Sequence, residues 1–443
     1  MKRGLILVAI FFAIDVLSAG LAVKGSYRAR GNSFRNLHLD SSMDTRYRNY
    51  IDNRFRLNAA FVANDLILIR SDIDFLGNCG EYSGSSFGCL LGYNTQDAQN
   101  INTSLTSSSS RNNFLLGRWV PSDSNSISAR RMWAELNTKF GILIIGRQPD
   151  HWGLGIFANS GDELFDNYGD SLDRIQLAMK FGAVDFTPYY GLFSERSIDR
   201  TNDIYEMGFK VKYNMNDTKN VYGFYLDIRS SRDKNNRVST YDLFAKHNFG
   251  VVNLGLELVF QNGKVEGNSI EANGILFNLS GDVAKWLKAT AEVGFASGSD
   301  SETNPYKEFS FNPDFKPALI LLSHEYGQPP FRLKGNDGSV TYHYPASVSN
   351  AVYFKQAFQA MHKNSIFDVS FIWAKRHQTD KRSDGKSLGY ELDFSYSYRQ
   401  NDNLFYGMDV AIFKPGAYYD LIDGVDKKLT FASLLGLKVG VTF

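Results

Sequence analysis

The sequence predicts an all-β fold, a transmembrane antiparallel β-barrel of about 18 strands, with 16 or 20 strands as open alternatives. Three observations lead to this prediction. Apolar and polar residues alternate with period two over segments of about ten residues, as they do in strands with one lipid face and one wet face. Short and long connections between these segments also alternate. Finally, aromatic residues make up 14% of the chain, against only 10 Pro, which favours many short strands.

The alternation is clearest at the C-terminus. Residues 429–443 place Leu, Val and Phe on one face and mostly Thr, Gly and Lys on the other. The same pattern occurs in residues 388–399, 205–213 and 54–61, where Glu, Asp, Lys or Arg stands at alternate positions. A water-filled lumen tolerates this much inward charge, whereas a packed core does not.

The pattern predicts eighteen strands, an even number that puts both termini on the periplasmic side. The first strand has the weakest pattern, but without it the short periplasmic turns and the long extracellular loops would exchange sides. A secreted β-sandwich or propeller is the alternative, but it does not require a tight turn at every second connection. The predicted strands are 22–31, 46–63, 66–76, 130–140, 142–148, 173–181, 184–193, 203–213, 219–229, 238–249, 251–261, 269–280, 285–297, 349–361, 365–377, 387–399, 404–413 and 429–443.

The N-terminus has the three parts of a secretory signal. Lys2 and Arg3 are followed by an apolar run from Gly4 to Ile14 and by small residues near Ala19. We therefore predict a signal peptide over residues 1–20 and a barrel domain over residues 21–443. Beyond the signal, no apolar run reaches the roughly 20 residues of a spanning helix, which excludes an α-helical membrane protein.

Composition and motifs narrow the function classes. The 48 basic and 47 acidic residues give no basic excess for nucleic acid. The two cysteines, Cys79 and Cys89, flank a Gly- and Ser-rich segment, and in an exported chain they predict a local disulfide. The seven His are scattered, so we expect no metal site and no cofactor. No Gly-x-Ser-x-Gly or His-Glu-x-x-His motif occurs, so we expect no enzyme.

Many arginines fall on predicted inward faces or at the ends of strands beside the lumen. A guanidinium wall in a lumen would concentrate anions. Alternatively, these arginines would form a salt-bridged scaffold with inward acids such as Asp72, Asp74 and Glu135, and also Asp185, Glu257, Glu391 and Asp393. The candidate pore-lining and anion-binding residues are Arg28, Arg30, Arg46, Arg48, Arg54, Arg56, Arg70, Arg131, Arg147 and Arg174.

Two parts of the chain resemble known families. A last strand ending on Phe443 resembles the C-terminal signature of bacterial outer-membrane barrels and implies recognition by their assembly machinery. The strand end Gly146-Arg147-Gln148-Pro149 resembles alginate-export-like and related outer-membrane channels, which implies that Arg147 points into the pore. The flanking Trp152-Gly153-Leu154-Gly155 and Asp173-Arg174 are similar to deltaproteobacterial porin-like barrels. The resemblance covers about residues 130–175 and the last strand, and it implies a channel class without a substrate.

Two long connections are candidates for folding into the pore. The connection 149–172 carries Trp152 and the acids Asp162, Asp166 and Asp170; with Glu163 these acids would form either a solvated loop or a Ca²⁺ site. In the connection 298–348, the apolar run 317–322 must be covered, either as a constriction or as two extra strands. The candidate constriction residues are Trp152, Asp162, Asp166, Asp170, Leu319, Leu321 and Arg332.

Together these features predict an outer-membrane porin for passive diffusion of small hydrophilic, anionic solutes. The alternative is a surface-displayed structural or adhesin-like barrel with a plugged lumen, for which the Ser- and Asn-rich loop 77–129 is suited. The expected partners are outer-membrane lipid and lipopolysaccharide, the assembly machinery and a possible second copy of the chain.

Overall fold

The structure is a computed structural model, and it describes most of the predicted barrel domain. Residues 1–19 of the predicted signal peptide, Arg46, Cys79 and Cys89 lie outside the described residues, so the signal and the disulfide stay predictions. The described residues are 20–37, 39, 47–75, 127–194, 204–215, 219–231, 236–265, 267–299, 305–323, 331–334, 340–343, 347–379, 385–422, 425–426 and 429–443.

Twenty-two strands are described, and eighteen of them form one closed antiparallel barrel. Each barrel strand pairs with the next, and the last pairs with the first through the register Ser26↔Thr442. The barrel strands are β1 (Gly20–Arg35), β2 (Tyr47–Asn64), β3 (Ile67–Phe75), β4 (Ile127–Thr138), β5 (Gly141–Pro149), β6 (Ser171–Phe181), β7 (Val184–Ser194), β8 (Ile204–Met215), β9 (Asn220–Ser231), β10 (Asn236–Asn248), β11 (Val252–Val265), β12 (Asn268–Ala284), β13 (Leu287–Ala296), β16 (Ala351–His362), β17 (Ser365–Arg376), β18 (Ser387–Arg399), β19 (Leu404–Pro415) and β22 (Ala432–Thr442).

The remaining elements are small and lie in the long connections. Strands β14 (Phe331–Lys334) and β15 (Val340–His343) form one short hairpin, and β20 (Leu421–Ile422) and β21 (Val425–Asp426) form another. A 3₁₀ turn spans Ala417–Tyr419. No helix in the described ranges is long and apolar enough to cross a membrane.

The predicted strand count is confirmed, and each predicted strand is found with ends that differ by a few residues. The first strand, which had the weakest pattern, is longer than predicted and has 16 residues. The tight turns lie at one rim, together with the start of β1 and the end of β22. The long connections lie at the other rim, which is the extracellular one in barrels of this kind.

Alternation sets the two faces of the barrel. Outward positions carry exposed apolar side chains, among them Leu437, Ile175 and Leu392 at 59%, 51% and 50% exposure. Inward positions carry most of the charged side chains of the strands, and near the extracellular rim these are buried. An apolar band outside and charge inside identify the construction of an outer-membrane barrel.

The C-terminal aromatic closes the barrel at the tight-turn rim. The Phe443 ring stacks on Phe55 with centroids 5.9 Å apart. Gly25 and Phe443 also exchange two backbone hydrogen bonds, of 2.8 and 3.0 Å. A Cβ on Gly25 would force the Phe443 ring to move, so glycine at this position leaves room for the stacked ring.

Candidate functional site

Two long connections fold into the lumen. Inner loop 1 is residues 150–170, between β5 and β6, and inner loop 2 is residues 305–323, between β13 and β16. Trp152 of inner loop 1 is 0% exposed and packs edge-on against Tyr225 of β9 and Phe244 of β10, at centroid distances of 5.4 and 4.9 Å. The predicted infolding of both connections therefore agrees with the structure, whereas their role as a constriction stays a prediction.

The arginines of β1 and β2 hold inner loop 1 by its main chain. Arg28 and Arg54 each donate to the carbonyl oxygen of Asp166 at 2.6 Å, and both also reach the carbonyl oxygen of Leu164, at 3.2 and 2.8 Å. Arg28 donates further to the Asn167 amide oxygen at 2.8 Å. A guanidinium offers five donors in a fixed fork, which lets one side chain hold several carbonyl groups of a turn.

Two consecutive arginines on β4 continue this arrangement. The register shift between Asp72 and Ile73 is a β-bulge, which lets both Arg130 and Arg131 face inward. Arg130 donates to the carbonyl oxygen of Tyr168 at 3.0 Å, and Arg131 forms an ion pair with Asp162 at 2.6 Å. Strict alternation assigns only one of two neighbours to the lumen, so sequence reasoning missed Arg130.

The two inner loops bind each other. Asp170 is buried; its Oδ2 accepts from the Asn159 backbone N–H at 2.9 Å and from Asn312 of inner loop 2 at 2.8 Å. In return, Asp314 of inner loop 2 accepts the backbone N–H groups of Asn167 and Tyr168 at 2.9 and 3.1 Å. Burial raises the pKa of Asp170 to about 8, so this carboxyl is protonated at neutral pH.

Inner loop 2 is anchored on a carboxylate of β18. The Glu391 side chain accepts three successive backbone N–H groups, from Leu319 at 3.1 Å, Ile320 at 2.8 Å and Leu321. Lys355 of β16 donates to the carbonyl oxygen of Pro317 at 2.7 Å. The apolar run is thereby covered inside the barrel without extra strands, and Leu321 is fully buried.

A second group of charges joins inner loop 1 to β6 and β8. Asp150 binds Arg174 at 3.0 Å and also Lys210, and Arg174 reaches Glu206 at 3.2 Å. Burial alone would raise the pKa of Asp150, but Arg174 and Lys210 outweigh it and hold this pKa below the usual range of aspartate. These charges are mutually compensated and buried.

Lys212 of β8 and Lys246 of β10 differ from the arginines of β1, β2, β4 and β6. Neither makes a hydrogen bond or an ion pair with any described residue, and Lys246 is exposed. The Lys212 ammonium lies 5.2 Å from the Trp152 ring centre, and the Lys246 ammonium lies 5.9 Å from the Phe244 ring centre. His151 lies close by, and its pKa is lowered by partial burial of the ring and by these two lysines. We call Lys212, Lys246 and His151 the basic patch.

The remaining predicted arginines divide between the two faces. Arg30 pairs with Asp52, Arg56 with Asp74 and Arg70 with Glu135, at 2.6 to 2.7 Å, all inside the barrel. The prediction that Arg147 points into the pore is wrong. Arg147 is in register with the exposed, outward Met132 and pairs with Asp173 at 2.6 Å, so it lies on the outer face and does not point into the pore. The side chains of Arg48 and Arg332 lie outside the described residues.

The acids of inner loop 1 bind protein groups. Asp162 binds Arg131 and Arg130, and Asp166 accepts the backbone N–H of Glu163 at 3.0 Å. Across the described ranges, no three His, Cys, Asp or Glu side chains converge as a metal site would require. The Ca²⁺ alternative has no support from this geometry.

Comparisons with known proteins support the fold. No protein-family model and no curated protein match the chain. OccK9 (OpdG) from Pseudomonas aeruginosa aligns with a TM-score of 0.54 at 12% identity, over 95% of this chain and 98% of that one. A BenF-like porin from Pseudomonas fluorescens Pf-5 aligns with a TM-score of 0.54 at 10% identity, over 96% and 99%.

A third structure, OpdK from Pseudomonas aeruginosa with vanillate, aligns with a TM-score of 0.51 at 11% identity, over 95% and 98%. At these identities the likeness establishes the fold, a closed 18-stranded barrel of the bacterial outer-membrane porin type. The resemblance to alginate-export-like channels stays a prediction.

Proposed function

We propose that the chain is an outer-membrane porin that passes small hydrophilic solutes by passive diffusion and prefers anions. The observation that carries this proposal is the basic patch, whose two lysines face the lumen without a described ion-pair partner. Positive charge without a direct ion-pair partner between low-dielectric walls raises the local concentration of anions and their rate of entry. We expect no enzymatic activity and no cofactor.

This assignment moves the anion site away from the arginines. The guanidinium groups of Arg28 and Arg54 are occupied by loop carbonyls, so they are poor candidates for binding a solute. Lys212 and Lys246 keep their donors available, and Trp152 and Phe244 beside them supply apolar surface. The OpdK structure with vanillate, a small aromatic carboxylate, supports the idea that this fold accommodates such solutes.

Planar-bilayer recording tests the proposal. The purified protein is inserted under a KCl gradient, and the reversal potential is measured together with the single-channel conductance. We expect stable conductance and a reversal potential displaced towards that of Cl⁻. Conducting channels that prefer K⁺ would overturn the anion preference and leave the porin assignment intact.

The second candidate is a barrel with a plugged lumen that displays its loops. It is favoured by the mutual binding of the two inner loops through Asp170, Asn312 and Asp314. Insertion without any conductance, with the barrel shown to be folded by its β-rich circular dichroism, would select this candidate.

The partner assignments are part of the same proposal. Phe443, which ends the strand that closes the barrel, is proposed as the assembly signal. Outer-membrane lipid, including lipopolysaccharide, is the proposed surrounding. The proposal includes a homo-oligomer, because an apolar outer surface suits lipid and a second copy equally.

A further inference from the structure

One sector of the outer face carries two lysines in otherwise apolar surroundings. On β16, β17, β18, β19 and β22, the outward positions are occupied by apolar, aromatic or uncharged polar residues, with His362 at the tight-turn rim. Lys375 and Lys414 are the only Lys, Arg, Asp or Glu residues at outward positions of these described strands. Each lies one residue before the end of its strand, at the extracellular rim.

Both lysines stand beside aromatic rings at the border of the apolar band. The Lys375 ammonium lies 5.9 Å from the Trp373 ring centre, and the Lys414 ammonium lies 5.8 and 5.9 Å from those of Tyr390 and Phe431. Trp373 and Tyr390 are register partners, and so are Tyr390 and Lys414. Trp373, Tyr390 and Lys414 therefore form one row across three adjacent strands. Aromatic rows of this kind mark the level of lipid headgroups.

Neither lysine is neutralised by a described residue. Lys375 and Lys414 make no hydrogen bond and no ion pair within the described part of the chain, and both are exposed. Arg147, at the same rim on another sector, has an acidic partner in Asp173 at 2.6 Å. Directly below the row the surface is apolar, with Phe371, Leu392 and Ile412 exposed by 42 to 50%. The sector combines an acyl-chain surface with two unpaired cations above it.

We propose that this sector, which we call the lysine rim, binds the phosphate groups of a phosphorylated glycolipid of the outer leaflet. Strands lie about 4.8 Å apart, so the two lysines, two strands apart, reach phosphates about 10 Å from one another. The ammonium groups bind the phosphates, the aromatic row lies at the level of the sugar headgroup, and the apolar surface below contacts the acyl chains. The site rests on the outer-membrane lipid surroundings proposed above, but it lies outside the lumen and does not depend on conductance.

Binding of lipid A and of dephosphorylated lipid A, followed by native mass spectrometry in a zwitterionic detergent, tests the proposal. We expect the wild type to retain lipid A in preference to the dephosphorylated form. The double variant Lys375→Gln/Lys414→Gln is expected to bind lipid A about 25-fold more weakly, because each lysine contributes about a fivefold factor. Lys375→Arg/Lys414→Arg keeps the charge and is expected to bind as the wild type does.

Lys139 provides a matched control, because its ammonium lies 4.9 Å from the Phe140 ring centre at the opposite, tight-turn rim. Lys139→Gln should leave lipid A binding unchanged. The proposal is wrong if the double glutamine variant binds as well as the wild type, if removing the phosphates has no effect, or if Lys139→Gln causes an equal loss. Inorganic phosphate that displaces lipid A at equal concentration would assign the site to a soluble anion and also overturn it.

Discussion

The arginines of β1, β2 and β4 and the lysines of β8 and β10 all place positive charge inside the barrel, yet they meet different partners. Arg28, Arg54 and Arg131 donate to carbonyl and carboxylate groups of inner loop 1. Lys212 and Lys246 have no described hydrogen-bonding partner. An inward cation is therefore available to a solute only where no inner loop offers it a carbonyl or carboxylate group, and the positions of the loops decide which cations can act as an anion site.

The largest effect is expected when two of the arginines that hold inner loop 1 are replaced. In Arg28→Gln/Arg54→Gln, inner loop 1 loses the charged donors to Leu164 and Asp166. Each lost charge-assisted hydrogen-bond set weakens loop docking by about 2 kcal/mol. We expect a larger and noisier single-channel conductance and faster proteolysis of inner loop 1. Unchanged conductance and proteolysis would show that the arginines do not hold the loop.

A change of pH acts on the contact between the two inner loops. The pKa of Asp170 is raised by burial to about 8, above the value of about 4 in an unfolded chain. The folded state therefore binds an extra proton between these values. The associated stability is complete below about pH 4 and is lost as the pH rises through 8.

We therefore expect the conductance to increase between pH 7 and pH 9, because ionised Asp170 is a buried charge that Asp150 and the Asp314 of inner loop 2 repel, which weakens the docking of the two loops. Asp170→Asn removes the titrating group while it keeps an amide oxygen to accept the two hydrogen bonds. Its conductance should stay level over the same range. A pH response of equal size in Asp170→Asn would assign the titration to another group.

The ion selectivity of the channel tests the two lysines of the basic patch. In Lys212→Gln/Lys246→Gln the inner loops stay in place, because neither lysine holds them by a described hydrogen bond. We expect the Cl⁻ to K⁺ permeability ratio to fall about threefold, with the conductance nearly unchanged. Lys139→Gln, at a turn outside the lumen, is the control and should keep the wild-type reversal potential. An equal ratio in the lysine variant and the wild type would remove the basic patch from the proposed function.

The barrel was predictable because the inward and outward positions differ in polarity along nearly every strand. The pattern in residues 205–213 already placed Lys210 and Lys212 on the inward face. It could not indicate that Lys210 would be paired with Asp150 while Lys212 stays unpaired. That difference depends on where inner loop 1 lies, and the contacts of a loop have no periodic pattern in sequence.

The errors in the site have local causes. Arg130 was missed because a β-bulge breaks the alternation at β4. Arg147 was placed in the pore on a family resemblance, although it stands two residues after Ile145, which is outward and exposed. In both cases the register with the neighbouring strands, which requires the structure, decides the face.

The smallest effect is expected for the replacement of Arg147, and this variant tests the register of β5 with its neighbours. Arg147 and Asp173 form an ion pair on the outer face, with side chains 35% and 46% exposed, so the pair contributes about 0.5 kcal/mol. Arg147→Gln should leave conductance, reversal potential and proteolysis of inner loop 1 at wild-type values. An arginine inside the pore would instead alter the reversal potential when its charge is removed. A shift towards K⁺ in this variant would place Arg147 in the lumen and reverse the inward and outward assignment of β5.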